Sequence, residues 1–297
     1  MKKIWLLSLT IASLGISLLW LSVRSFSQPT SSTFPKVQPS PTTTIRYIER
    51  TLPQGIAHIL VIPANSLFVV TGAISPKVNT VEEFAQKHQA TAIFNAGFFD
   101  PANQKSTSHV VIAGQKMANP KDNERLVNNP QLKPYLNLIF NRSEFRRYLC
   151  GKINRYAIAL HNESPPADCR LIDAIGAGPR LLPQLTSEQE GFVDRTNGRD
   201  ALGSEQPNAR TAVGITRDGS IILVMVAQKP SQPSNSGISL IQLAQLMKTL
   251  GASEAMNLDG GSSSSLYYKG KTVYGKVDLQ GKYIKRPVKS VLLVKPR

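Results

Sequence analysis

The chain has 297 residues, 41% of them hydrophobic, with 35 Lys and Arg against 19 Asp and Glu, a formal net charge of +16. That apolar content excludes a disordered chain, and the length allows a substantial core. The positive excess favours polyanionic neighbours, but the charges are scattered, with no run of five or six of one sign. No helix-turn-helix, zinc-finger or RNA-recognition signature is present, so nucleic acid is not an expected partner.

Lys2 and Lys3 precede an uncharged, largely apolar stretch over residues 4–23. A helix rising about 1.5 Å per residue would carry it roughly 30 Å, the thickness of a bilayer core. Residues 1–24 are therefore expected to be a signal-anchor or signal peptide. No Ala-x-Ala cleavage pattern follows, which favours an uncleaved anchor. The two lysines would stay inside and the rest would face the periplasm or the exterior. Residues 25–44 are rich in Ser, Thr and Pro and are expected to be an extended linker. The two cysteines, Cys150 and Cys169, are permitted a disulfide in such a compartment; a pair of reduced, partly buried thiols is the alternative.

The folded domain is expected to span residues 45–297. Residues 46–50, 57–62 and 67–70 predict short strands. Thr80-Val81-Glu82-Glu83 matches a capping box and predicts a helix to about His88. Ala92 to Phe94 predicts a brief buried strand. Residues 101–168 give little pattern beyond a strand at 156–160. Residues 211–215 and 221–227 predict strands joined by a turn at Arg217-Asp218-Gly219, a strong hairpin signal. Residues 239–250 place Leu240, Leu243, Ala244, Met247 and Leu250 on one helical face, with Gly251 at the C-terminal cap. Strands follow at 255–258, on either side of Lys269-Gly270-Lys271, and at 290–294. The fold class this implies is α+β: a single strand-rich domain of mixed β-sheet with a few packed helices.

Four segments carry chemistry. In Asn257-Leu258-Asp259-Gly260-Gly261-Ser262-Ser263 a strand delivers a carboxylate, then two glycines, then four serines (Ser262 to Ser265). Glycines allow close approach to a ligand, successive backbone N–H groups in such a turn can form an anion nest, and the hydroxyls add donors. An ordinary Asp-Gly turn is the competing reading. In Asn95-Ala96-Gly97-Phe98-Phe99-Asp100 a second buried strand ends in a small polar residue and a glycine, and an aromatic ring there can wall a sugar site. Arg210 sits directly before the strand predicted at 211–215, where a guanidinium can grip a phosphate bidentately; a surface salt bridge is the competing reading. Gly176-Ala177-Gly178-Pro179-Arg180 is glycine-rich but lacks the P-loop ending and the dinucleotide spacing.

In this order the four segments resemble the phosphodiester glycosidase family over most of residues 45–297. The chain has Ala96 where the family often has glycine, and Ser262 where it often has a third glycine; both are small-for-small changes. The resemblance implies hydrolysis of a sugar 1-phosphodiester at its glycosidic bond, with a phosphorylated carbohydrate as substrate partner. It assigns Asp259, Arg210 and Asn95 to the catalytic set, and Asn257, Gly260, Gly261, Ser262, Ser263, Gly97, Phe98 and Gly178 to the substrate site. Glycosidases normally use two carboxylates; Asp100 and Asp173 are the candidates for the second. No cofactor is implied. The acidic turn at Asp259 is compatible with a divalent cation such as calcium, but no EF-hand spacing is present. A tethered phosphoglycan-binding module without turnover is the alternative function.

Overall fold

The structure, a computed structural model, describes residues 43–297. The apolar stretch expected to be an anchor, and nearly all of the expected linker, lie outside the described residues. Among the described residues no helix is long and apolar enough to cross a membrane.

Three large sheets and a two-stranded ribbon form the domain. The first sheet has the spatial order Arg46–Leu52, Gly55–Ile62, Ile221–Ala227, Arg210–Thr216, Ala252–Asn257, Arg180–Leu182. The second runs Lys271–Tyr274, Ser265–Tyr268, Ala92–Asn95, Val288–Pro296, Phe68–Asn79. The third runs Gln115–Ala118, Val110–Ile112, Cys169–Gly176, Ser143–Cys150, Ile153–Leu160. Every strand pairing among the described residues is antiparallel, which corrects the expectation of a mixed sheet. A parallel pair needs a long crossover, usually helical, and among the described residues only the helices Val81–His88 and Leu240–Thr249 exceed a single turn.

Strand alternation sorts the core. Leu60, Leu223, Val213 and Met256 project from one face of the first sheet into a cluster shared with Phe94 and Leu292 of the second sheet and Ile175 of the third. Ile59, Val224, Ala212 and Ala255 project from the other face and are covered by Leu240, Leu243 and Met247 of the longer helix. The shorter helix packs Val81, Phe84 and Ala85 on Ile93, Val291 and Leu293 of the second sheet. Its capping box forms as expected: Thr80 accepts from the Glu83 N–H, and the Glu83 carboxylate accepts from the Thr80 N–H. Cys150 and Cys169 face each other across adjacent strands of the third sheet and are disulfide-bonded.

Candidate active site

The strands Ala252–Asn257 and Arg210–Thr216 of the first sheet and Ala92–Asn95 of the second bring three motifs together at their ends. Asn95 is fully buried at the junction. Its Oδ1 accepts from the Thr211 hydroxyl (2.8 Å) and the Ser265 N–H (3.0 Å), while its Nδ2 donates to the Asp259 carbonyl (2.6 Å). The Asp259 N–H donates to the Ala96 carbonyl (2.7 Å). The peptide groups on both sides of the Asp259 Cα are thus fixed by the Asn95-Ala96 segment. Asn95 acts on Asp259 through its backbone, as a positioning group.

Asn257 ties in the glycine-rich segment. Its Nδ2 donates to the Gly178 carbonyl (2.9 Å) and its backbone exchanges bonds with Gly178 and Pro179. Its Oδ1 is buried without a protein partner. Gly178 has φ +105°, and a Cβ there would sit 2.5 Å from Glu190 Oε2, so only glycine fits. Gly97 donates to Ser290 Oγ (3.0 Å) and lies directly against the Gly176 carbonyl, so these two motifs pack backbone to backbone. The Phe98 ring tilts against Phe192, which carries the Arg142 guanidinium 3.6 Å above its centroid.

Asp259 keeps an edge open to solvent. Burial pushes its carboxyl up to about 6, against the opposing effects of the Ser263 hydroxyl, the Gly260 backbone and the Arg286 charge. The expected anion nest is largely closed. The Gly261 N–H donates to the Ala209 carbonyl (2.8 Å), and those of Ser263 and Ser264 close the 3-10 turn Gly261–Ser263. The serines have separate tasks. Ser262 accepts from Arg286 Nη1 (3.0 Å), the Ser263 hydroxyl favours the ionised form of Asp259, Ser264 meets Thr211 (3.3 Å), and Ser265 donates to the Ser263 carbonyl (2.9 Å).

Arg210 is corrected most. Its buried guanidinium donates to the carbonyls of Ile238, Leu202, Gly203 and Gln206. A guanidinium so committed clamps the loop at 202–206 and does not offer a free fork to a phosphate. The two candidates for a second carboxylate are likewise engaged elsewhere. Asp173 accepts from Thr71, the Ala113 N–H and Arg147. Asp100 pairs with Arg125 (2.7 Å) and accepts from the Ala102 N–H (2.8 Å).

Two cations missed by motif reading stand beside the turn. Arg286 bonds Ser262 and lies 5.5 Å from the Phe99 ring centroid. Lys276 Nζ donates to Asn208 Oδ1 (3.1 Å), and the Asn208 amide flanks Gly261. Both follow the last motif in a stretch without periodicity or a spacing rule. Among the described residues no group of three or more His, Cys, Asp and Glu converges to hold a metal. A cleft of about 520 Å³ lies at the other ends of the strands Arg210–Thr216 and Ala252–Asn257, lined by Arg155, Arg217, Ser253 and Glu254.

Residues 88–295 match the family model described as phosphodiester glycosidase. The N-acetylglucosamine-1-phosphodiester alpha-N-acetylglucosaminidase of Bos taurus is 24% identical over 209 residues, 67% of this chain and 35% of that protein. The chain thus matches about a third of the length of that curated relative. Three solved structures share the fold. The zebrafish N-acetylglucosamine-1-phosphodiester alpha-N-acetylglucosaminidase catalytic domain, auto-inhibited by its pro-peptide, superposes with a TM-score of 0.63 at 18% identity, covering 86% of this chain and 83% of that one. A putative exported protein of Burkholderia pseudomallei gives 0.61 at 17% identity, covering 82% and 74%. A hypothetical protein from Synechocystis gives 0.56 at 18%, covering 85% and 62%.

Proposed function

This chain belongs to the phosphodiester glycosidase family, and on that premise we propose that it is an exported hydrolase of sugar 1-phosphodiesters in phosphorylated envelope glycans. The observation that carries the reading is Asp259: a partly desolvated carboxylate whose flanking peptides are both held by the Asn95-Ala96 segment. The bond that breaks is between the anomeric carbon and the phosphate oxygen. The transition state at that carbon is cation-like, and the phosphate leaves as a stable anion. The departing oxygen needs little protonation, so charge stabilisation outweighs a strong general acid. That fits a site where Asp100 and Asp173 are engaged elsewhere. Asp259, ionised above about pH 6, takes a proton from the attacking water while its charge faces the sugar cation. The water oxygen joins the sugar, and the products are a free sugar and a phosphate monoester.

The disulfide between Cys150 and Cys169 fits an oxidising compartment, and residues 1–24 supply the export signal or tether. The test is incubation of the full-length protein with a panel of sugar 1-phosphodiesters, with released sugar and phosphate monoester both quantified. Release of the two in equal amounts supports the reading. Tight binding across the panel with no release would make the domain a glycan-binding module.

A further inference from the structure

A substrate phosphate needs a cationic holder, and the residues assigned by motif do not supply one. Arg210 is committed to four carbonyls, and the Gly261, Ser263 and Ser264 N–H groups are bonded within the protein. The two cations beside the turn come from one structural device. Residues 276–284 form a hairpin arm: Val277 bridges Tyr283, the Asp278 N–H donates to the Lys282 carbonyl (2.9 Å), and the Ile284 N–H donates to the Lys276 carbonyl (2.9 Å). Lys276 stands at the start of the arm, and Arg286 follows its end. The arm is rooted on the catalytic turn. Gly275 donates to the Ser264 carbonyl (2.8 Å), and a Cβ at 275 would lie 2.7 Å from Ser264 Cβ and 3.0 Å from Met225 Sδ. Only glycine lets the chain pass so close.

We infer that Arg286 and Lys276, which flank this arm in the chain and stand beside the turn at 260–262, bind the phosphate of the substrate. The inference rests on the phosphodiester reading. Arg286 is half-buried, steadied by the Ser262 hydroxyl and the Phe99 ring, and neither cation forms an ion pair among the described residues. A guanidinium fixed by one hydroxyl and one ring keeps a planar pair of N–H donors for two phosphate oxygens, and the ammonium adds a point charge. Arg286 also acts on the Asp259 carboxyl electrostatically, so anion and catalytic carboxylate share one neighbour. Burial, and after it the charge of Arg210, lower the Lys276 ammonium, and an incoming anion would favour its charged form.

The test uses the full-length protein and its Arg286→Gln, Arg286→Lys and Lys276→Gln variants, with Arg155→Gln from the far cleft as the control. Inorganic phosphate binding is titrated by calorimetry, and kcat/KM is measured on a sugar 1-phosphodiester that the wild type hydrolyses. Arg286→Gln is expected to lower kcat/KM on the order of 100-fold and to weaken phosphate binding on the order of 10-fold or more. Arg286→Lys should fall between it and the wild type, because it keeps the charge and loses the fork, and Lys276→Gln should cost about 10-fold in kcat/KM. Arg155→Gln should stay within about twofold of the wild type in both measurements. Phosphate binding equal to the wild type in both Gln variants, or none in the wild type, overturns the inference; Arg286→Lys decides the matter if Arg286→Gln does not fold. Loss of phosphate binding in the variants of a protein that hydrolyses no phosphodiester would sustain the anion site and defeat the hydrolase reading. Hydrolysis untouched by the variants would do the reverse.

Discussion

The strands Arg210–Thr216 and Ala252–Asn257 end in two different environments. At one end lies an open cleft of about 520 Å³, where Arg155 and Arg217 are exposed and Glu254 accepts from the Ile158 N–H. At the other end, buried Asn95, Thr211 and Ser264 are joined by hydrogen bonds around the half-buried Asp259. The first end has the volume and the second has the organisation. Burying polar groups is costly unless each is bonded, so a knot of bonded polar side chains persists where it holds something in position. Here the thing held is the Asp259 backbone. The contrast gives organisation more weight than volume in locating chemistry on this fold.

Substitutions at the two ends should therefore differ sharply. The largest effect is expected for Asp259→Asn, which should lower kcat on sugar 1-phosphodiesters on the order of 1,000-fold or more with the fold intact; wild-type-like turnover would remove Asp259 from the mechanism. Next is Asn95→Ala, which strands the Thr211 hydroxyl, the Ser265 N–H and the Asp259 carbonyl. It should cost about 2–4 kcal/mol in urea unfolding and reduce turnover as well. A loss below about 0.5 kcal/mol would show that the knot is not what fixes the turn.

A pH effect sharpens the comparison further. The Asp259 carboxyl is raised to about 6 in the folded chain, above its unfolded value near 3.9. The folded state thus holds this proton more tightly, and stability falls as pH rises from about 4 toward 6. Asp259→Asn never ionises, so it should be more stable than the wild type above pH about 6, on the order of 1–3 kcal/mol, and by much less below pH about 4. Thermal melts across that range check the sign. Turnover should rise through the same window as Asp259 ionises. The smallest effect belongs to the far end: Arg217→Gln should change stability by less than about 0.5 kcal/mol and leave turnover unaltered.

Local signals with a mechanism were legible in the sequence. The Thr80 capping box, the Asp218-Gly219 hairpin and the apolar face of the helix Leu240–Thr249 all form where pattern places them. Apart from the strand expected at 156–160, the third sheet was not legible, because it buries polar side chains. Glu144 and Arg146 on the strand Ser143–Cys150 are both buried and pair at 2.7 Å, while neighbouring Arg147 pairs with Asp173. No hydrophobic alternation can report such a strand. At the site, the motifs identified which backbones meet, but not where side-chain donors go. Arg210 reads as a phosphate ligand until its loop at 202–206 is seen to supply carbonyls. Arg286 has no local pattern, because its place depends on an arm folding back onto the turn.

The proposed hydrolysis breaks the bond between the sugar and the phosphate oxygen. Hydrolysis of a sugar 1-phosphodiester in ¹⁸O-labelled water, followed by mass spectrometry of both products, tests it most directly. The label should appear in the released sugar and not in the phosphate monoester; label in the phosphate would mean attack at phosphorus and would contradict cleavage at the anomeric carbon.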